Sequence, residues 1–297
     1  MTKNLLAPGH TGCAGCGQSL GALMALNAAG ENTIVANATG CLEVFTTRSP
    51  QSAWEIPWVH SLFDNVAAVA SGIDAALKSL GRENEANIIA MGGDGSTADI
   101  GLQALSGMLE RGHNILYICY DNEAYMNTGI QRSGLTPFNA RTSTSPSGEV
   151  SLGNPKKKKN LPMIAAAHGI PYVATCNIAY PKDIANKVKK ALSIKGPKYI
   201  QMLVPCPLGW GHDTSLTIAI AKLAVETGIY PIFELENGKI TSVRKINEQK
   251  PVEEYLKTQA RFRHLFSKEG GKEAIAEIQK IANDNIEYYG LLSKPKP

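Results

Sequence analysis

Apolar positions through residue 204 follow two rhythms. Continuous apolar runs at 33–37 (TIVAN), 87–91 (NIIAM), 114–120 (NILYICY), 172–174 and 199–204 predict short strands buried on both faces. Between them, residues 16–27, 65–80, 100–111, 161–168 and 181–193 space their apolar side chains for helices. Leu102, Leu105, Met108 and Leu109, for example, fall on one face. Alternation of strand and helix predicts an α/β fold, a mainly parallel sheet with helices on both faces.

The rhythm changes after Pro205. Residues 215–227 predict a helix, 229–243 a hairpin turning at Asn237-Gly238, and 251–283 a charged helical stretch before a ragged end at 291–297. The chain therefore divides into a site-bearing domain over 1–212 and a C-terminal extension over 213–297. The extension is expected to pack either on that domain or on a partner. Residues 121–160 show no periodicity and are rich in Thr, Ser, Gly and Asn; a loop of that length inside a compact domain is usually functional.

Composition narrows the class. The chain has 297 residues, 43% hydrophobic and 19% charged, which excludes disordered, collagen-like and small disulfide-scaffold proteins. A net charge of +4 with 6% aromatic residues gives no basis for nucleic-acid binding. No apolar run is long enough to span a membrane, and the first residues carry no signal-peptide pattern, so a cytoplasmic protein is expected. In that compartment six cysteines point to reduced thiols or metal ligation.

The first chemical signal is Gly93-Asp94-Gly95 at the end of one predicted strand, with Asp121-Asn122 about 26 residues later at the end of the next. Glycines let backbone approach a phosphate, and the helix start beyond them offers free N–H groups. Asp94, the Asn122 amide and the Ala124 carbonyl supply the oxygen donors that Mg²⁺ prefers when it bridges two phosphates. The pair is similar to the thiamine diphosphate fingerprint. No Gly-Lys-Ser/Thr follows the glycines, and Gly15, Gly17 and Gly21 miss the dinucleotide spacing by one residue.

The second signal is Cys13-Ala14-Gly15-Cys16, with Cys41 just after the first strand and Cys206 just after a late one. Four thiolates from such positions suit an iron–sulfur cluster or a zinc ion, and unrelated thiols remain open. Cys119 and Cys176 sit in apolar runs and read as packing residues, and His10 and His60 as structural histidines. The run Lys156 to Lys159 reads as a solvated loop face, or alternatively as a landing site for an acidic electron acceptor.

These stretches carry a resemblance. PGHTGCAGCG (8–17), NATGCLEV (37–44), GGDGSTADIGLQALSGMLERG (92–112), CYDNEAYMNTGIQRS (119–133), GNPKKKKNLP (153–162), AAHGIPYVAT (166–175), PCPLGWG (205–211) and PVEEYLKTQARFRHL (251–265) resemble the beta subunits of multi-subunit pyruvate:ferredoxin oxidoreductases (pyruvate synthases), in the 2-oxoacid:ferredoxin oxidoreductase family. The resemblance implies a thiamine diphosphate-binding fold, one [4Fe–4S] cluster on Cys13, Cys16, Cys41 and Cys206, and Mg²⁺ on Asp94, Asn122 and the Ala124 carbonyl. It implies that Thr39, Gly40, Gly93, Gly95, Ser96 and Tyr125 contact the cofactor, and that Asn127 touches the substrate or its adduct.

It further implies oxidative decarboxylation of pyruvate with coenzyme A to acetyl-CoA and CO₂, reversibly, with electrons passing to ferredoxin. The partners implied are alpha, gamma and delta subunits, the alpha subunit supplying a catalytic glutamate and an arginine for the substrate carboxylate. Two alternatives stand beside this. One is the same chemistry on 2-oxoisovalerate or oxalate; the other is a thiamine decarboxylase with a structural zinc. A non-catalytic electron carrier fits less well with the intact cation motif.

Overall fold

A computed structural model describes residues 4–293. Of the ragged end expected over 291–297, Leu291 is buried and Leu292 bridges Ile246, while 294–297 lie outside the described residues. Eight strands form one sheet: β1 (Thr33–Ala38), β2 (Trp58–Ser61), β3 (Asn87–Gly93), β4 (Ile115–Asp121), β5 (Tyr172–Asn177), β6 (Lys198–Leu203), β7 (Phe233–Glu236) and β8 (Lys239–Val243). Their spatial order is β2-β1-β3-β4-β6-β5-β7-β8. The first six pair in parallel, and β7 and β8 add antiparallel at one edge.

The apolar runs have the cause inferred for them. All seven residues of β4 are buried. Leu116, Ile118 and Tyr120 point into one core, Ile115, Tyr117 and Cys119 into the other, so helices cover both faces. On one side lie α1 (Gly17–Ala29) and, later in the chain, Pro181–Ser193; on the other lie Val66–Ser79 and Leu102–Glu110. Glycine sets how closely α1 approaches the sheet. A Cβ on Gly17 would come within 2.7 Å of the Pro205 carbonyl oxygen, and one on Gly21 within 2.7 Å of Met202 Sδ. That contact brings the turn holding Cys13 and Cys16 beside the end of β6, where Cys206 lies.

Three elements have no counterpart in the sequence reading: the helix Cys41–Thr46, the strand β2, and the helix Pro207–Trp210. Each is six residues or fewer, too short for periodicity to register. β2 is also an edge strand with Val59 and His60 exposed, so it lacks the apolar run of its neighbours.

The helix expected from residue 100 starts earlier. A π-helical turn, Ser96–Ile100, precedes Leu102–Glu110, and Gly101 N–H donates to the Ser96 carbonyl at 2.8 Å. Such wide turns cluster at functional sites, and this one follows the Gly93-Asp94-Gly95 bend directly.

Beyond residue 213, Thr217–Glu226 is helical and the hairpin turns at Asn237-Gly238, extending the sheet. The charged stretch divides at Gly270 into Val252–Lys257, a 3-10 segment Ala260–Phe266, and the long helix Gly271–Tyr289. Ile275, Ile278, Ala282 and Ile286 of that helix join the core that contains Tyr117 and Tyr199 of the sheet. No described helix is long and apolar enough to cross a membrane.

Candidate functional site

The carboxyl ends of β1, β3 and β4 are neighbours, the position where open α/β sheets bind ligands. Thr39 and Gly40 follow β1. Gly93 closes β3, and Asp94, Gly95 and Ser96 follow it. Asn122, Ala124, Tyr125 and Asn127 follow β4. All ten line one cleft, with Cys41 on its wall. Asn127 is exposed at the mouth.

Local hydrogen bonds fix the cleft. Tyr125 donates its hydroxyl to the Gly95 carbonyl at 3.1 Å, and its ring stacks on Phe63 with centroids 5.6 Å apart. Ser96 Oγ donates to the Phe63 carbonyl at 2.6 Å, and Thr97 Oγ1 to the Gly93 carbonyl at 2.6 Å. Thr39 Oγ1 lies 2.7 Å from His60 Nε2, and the His60 ring stacks on Trp58.

Three oxygen-bearing groups converge at the cleft floor. The inward end of the Asn122 amide lies 2.8 Å from the Ala124 carbonyl oxygen and 2.8 Å from Asp94 Oδ1. Turned nitrogen-inward, the amide donates to both. Turned oxygen-inward, three acceptors face one another with no proton among them, and a cation satisfies all three. Adjacent corners of an octahedron with bonds of about 2.1 Å are about 3 Å apart, so the spacing fits Mg²⁺. Asp94 is fully buried; burial pushes its carboxyl well above the usual range, and Asp121 adds to the push, while the Ser133 hydroxyl bonded to Oδ2 opposes it. The charge of Lys158 also opposes the push, and a cation at this position would oppose it further.

The four cysteines occupy the next layer. Cys16 precedes α1, Cys41 opens the helix after Gly40, and Cys206 precedes Pro207–Trp210. Burial drives the Cys41 thiol up to about 12, and Cys206, Cys16, Cys13 and Asp94, in decreasing order, add to it. Cys41 is therefore within electrostatic reach of the other three thiols and of the cation-site carboxylate. Cys206 Sγ accepts from Gly209 N–H at 3.3 Å. Among the described residues, no three His, Cys, Asp or Glu side chains are drawn up around a single metal ion. All six cysteines are free thiols, and Cys119 and Cys176 are buried within strands. His10 accepts from Gly12 N–H at 3.2 Å and packs on Phe45.

The lysine run is half solvated and half engaged: Lys156 and Lys157 are exposed, Lys158 and Lys159 partly buried. Lys157 pairs with Glu277 at 2.9 Å, Lys159 with Asp99 at 2.8 Å, and Lys158 with Asp121 at 2.6 Å and Glu123 at 2.7 Å. These lysines tie the long loop down. Burial works to raise the Glu123 pKa, but the charges of Lys158 and Arg261 outweigh it and hold the carboxylate ionised. Asp121 is pushed up to about 6 by burial, against the pull of Lys158.

Sequence reasoning missed Gln18. It is 5% exposed, it lines the cleft, and its Oε1 is buried without a partner. Its place two residues after Cys16, on the helix that Gly17 brings close, was the available signal. Arg261 and Trp210 were missed too, because their contacts with the cation loop join distant parts of the chain.

Residues 37–202 match the family described as thiamine pyrophosphate enzyme, C-terminal TPP binding domain. The chain is 58% identical to pyruvate synthase subunit PorB of Methanosarcina barkeri, over 97% of this chain and 98% of that one. It is 49% identical to ketoisovalerate oxidoreductase subunit VorB of Pyrococcus abyssi, over 92% of this chain and 88% of that one. Among solved structures, a 2-oxoglutarate:ferredoxin oxidoreductase from Magnetococcus marinus, with 2-oxoglutarate, coenzyme A and succinyl-CoA bound, shares the fold. That likeness has a TM-score of 0.57 and 22% identity, over 72% of this chain and 77% of that one.

Proposed function

The chain belongs to the pyruvate synthase subunit PorB family of thiamine pyrophosphate enzymes, and from that premise we propose that it carries the cofactor cation site and one [4Fe–4S] cluster of a pyruvate:ferredoxin oxidoreductase. The observation that carries the reading is Cys41. It lines the same cleft as Asp94 and feels Cys13, Cys16 and Cys206.

Bound thiamine diphosphate would supply the electron sink that lets a 2-oxoacid lose CO₂. The chain's own residues position it. Asp94, Asn122 and the Ala124 carbonyl would hold the Mg²⁺ that binds with the cofactor, and the glycines at 93 and 95 keep that backbone open. Tyr125 and Phe63 form an apolar wall, while Thr39 and Gly40 follow β1 where cofactor and sulfur site would meet. Asn127, at the mouth, orients the substrate. The four thiolates would hold a cluster beside the cleft, and that cluster would supply the one-electron redox chemistry that serves ferredoxin. Among the described residues lining the cleft there is no glutamate and no arginine. The alpha subunit supplies both groups and closes the pocket, with gamma and delta subunits completing the assembly and coenzyme A taking the acyl group.

A second reading, 2-oxoisovalerate as substrate, draws support from the ketoisovalerate oxidoreductase relative at 49% identity. An anaerobic assay of the assembled complex against a panel of 2-oxoacids, with coenzyme A and a viologen dye, decides between them. Pyruvate should give the highest kcat/KM. A branched-chain acid in first place would move the substrate, and no turnover of any 2-oxoacid would reject the activity.

A further inference from the structure

Between the cation site and the sulfur site lies a buried set of contacts that neither site requires for its own ligands. Glu123 stands between Asn122 and Ala124, whose oxygens face the cation position. It adopts φ 70°, a left-handed conformation that L residues other than Asn and Asp rarely hold. Two cations grip its carboxylate. Lys158 lies 2.7 Å from Oε1, and Arg261 Nη2 donates to Oε2 at 2.6 Å. Arg261 and Glu123 are 5% and 2% exposed, so the pair is held inside the protein.

The Arg261 guanidinium also lies 3.8 Å from the centroid of the Trp210 ring. Trp210 donates its indole N–H to the Asn122 carbonyl oxygen at 2.7 Å, and its own backbone N–H to the Cys206 carbonyl at 2.8 Å. Met126, further along the cation loop, fills the space a Cβ on Gly209 would take, and Gly209 N–H donates to Cys206 Sγ. Ala260 N–H donates to the Gly211 carbonyl at 3.0 Å, fixing Arg261 to the same turn.

We propose that Arg261 is a positioning residue which, through Glu123 and Trp210, locks the cation loop and the Cys206 turn into one unit, so that filling the cofactor site changes the surroundings of the sulfur site. The inference rests on the functional reading above. A left-handed Glu123 aims its two neighbours at the cation. Once a buried carboxylate loses a cation partner, the loop is free to relax to ordinary backbone. The Trp210 and Met126 contacts then carry any such shift to the hydrogen bonds around Cys206, which tune a cluster.

The test uses the anaerobically assembled complex and two readouts besides turnover. One is the Kd for thiamine diphosphate with Mg²⁺. The other is the change in the reduced-cluster electron paramagnetic resonance spectrum when that cofactor is added to cofactor-free complex. Wild type should show such a change. Arg261→Met should weaken cofactor binding by about tenfold to a hundredfold, as expected for losing a buried charge-assisted hydrogen bond, and should abolish the spectral change.

Adding Glu123→Gly to Arg261→Met should recover much of the affinity, because glycine holds a positive φ unaided, but not the spectral change. Trp210→Phe keeps an aromatic ring and removes the indole donor, so it should bind cofactor while losing the spectral change, and it guards against misfolding of the arginine variant. Wild-type affinity and an undiminished spectral change in both Arg261→Met and Trp210→Phe would overturn the proposal. A wild-type complex that holds cluster and cofactor without any spectral change would overturn the coupling alone. A wild-type complex lacking either group would overturn the functional reading beneath it.

Discussion

The Tyr125 ring occupies the space that a Cβ on Gly95 would fill. The two residues follow different strands, and the Tyr125 hydroxyl donates to the Gly95 carbonyl at 3.1 Å. Glycine is therefore required at 95 by close approach. Gly95→Ala should displace the ring, cost about 1–3 kcal/mol as overpacking does, and open the cleft floor. Thermal unfolding and thiamine diphosphate retention measure the two effects. Normal retention would mean the ring does not shape the site.

Asp94→Ala removes the only carboxylate among the three converging cation donors. The complex should then lose both Mg²⁺ and thiamine diphosphate on gel filtration while keeping its fold, since the carboxyl is buried against its own preference for ionisation. Retention at wild-type occupancy would place the cation elsewhere.

Gln18 separates function from stability. Its buried Oε1 has no partner, so Gln18→Leu should leave the melting temperature unchanged or raise it, removing an unsatisfied group worth about 1 kcal/mol. Turnover should fall, because the cleft loses a polar group built into its wall. Unchanged kcat and KM would make Gln18 a bystander.

How much of this was legible depends on where the information sits. The bends at Gly93-Asp94-Gly95 and Asp121-Asn122, and the paired Cys13 and Cys16, are local patterns whose residue types have few other uses at strand ends. The central strands were legible because burial on both faces leaves continuous apolar runs, as in β4. β2 was not, since an edge strand of four residues has no such run. The Glu123–Arg261 pair joins positions 138 residues apart, and nothing local in either segment announces it. The pairing of Lys157, Lys158 and Lys159 was hidden for the same reason: their acidic partners Asp99, Asp121, Glu123 and Glu277 come from three other parts of the chain.

Lys198 gives a pH signature away from the site. Burial pushes its ammonium down to about 8 from 10.5, although Asp74 pulls the other way, and its Nζ donates to Asn114 Oδ1 at 2.8 Å. Below the folded pKa both states carry the proton, and the folded state bears the full penalty. Between the folded and unfolded values the unfolded chain binds more protons, so stability gains as pH rises. From pH 7 to 9.5, wild type should gain about 2 kcal/mol relative to Lys198→Met in urea unfolding. Parallel curves for the two proteins would contradict the shift.

The most direct measurement counts iron, labile sulfide, zinc and thiamine diphosphate per chain in anaerobically purified complexes of wild type and Cys41→Ser, with cluster contributions of other subunits subtracted by the difference. Wild type should exceed the variant by about four iron and four sulfide, with thiamine diphosphate near one per chain in wild type and zinc absent. Equal iron in the two proteins, or one zinc per chain lost with Cys41, would contradict a cluster beside the cofactor.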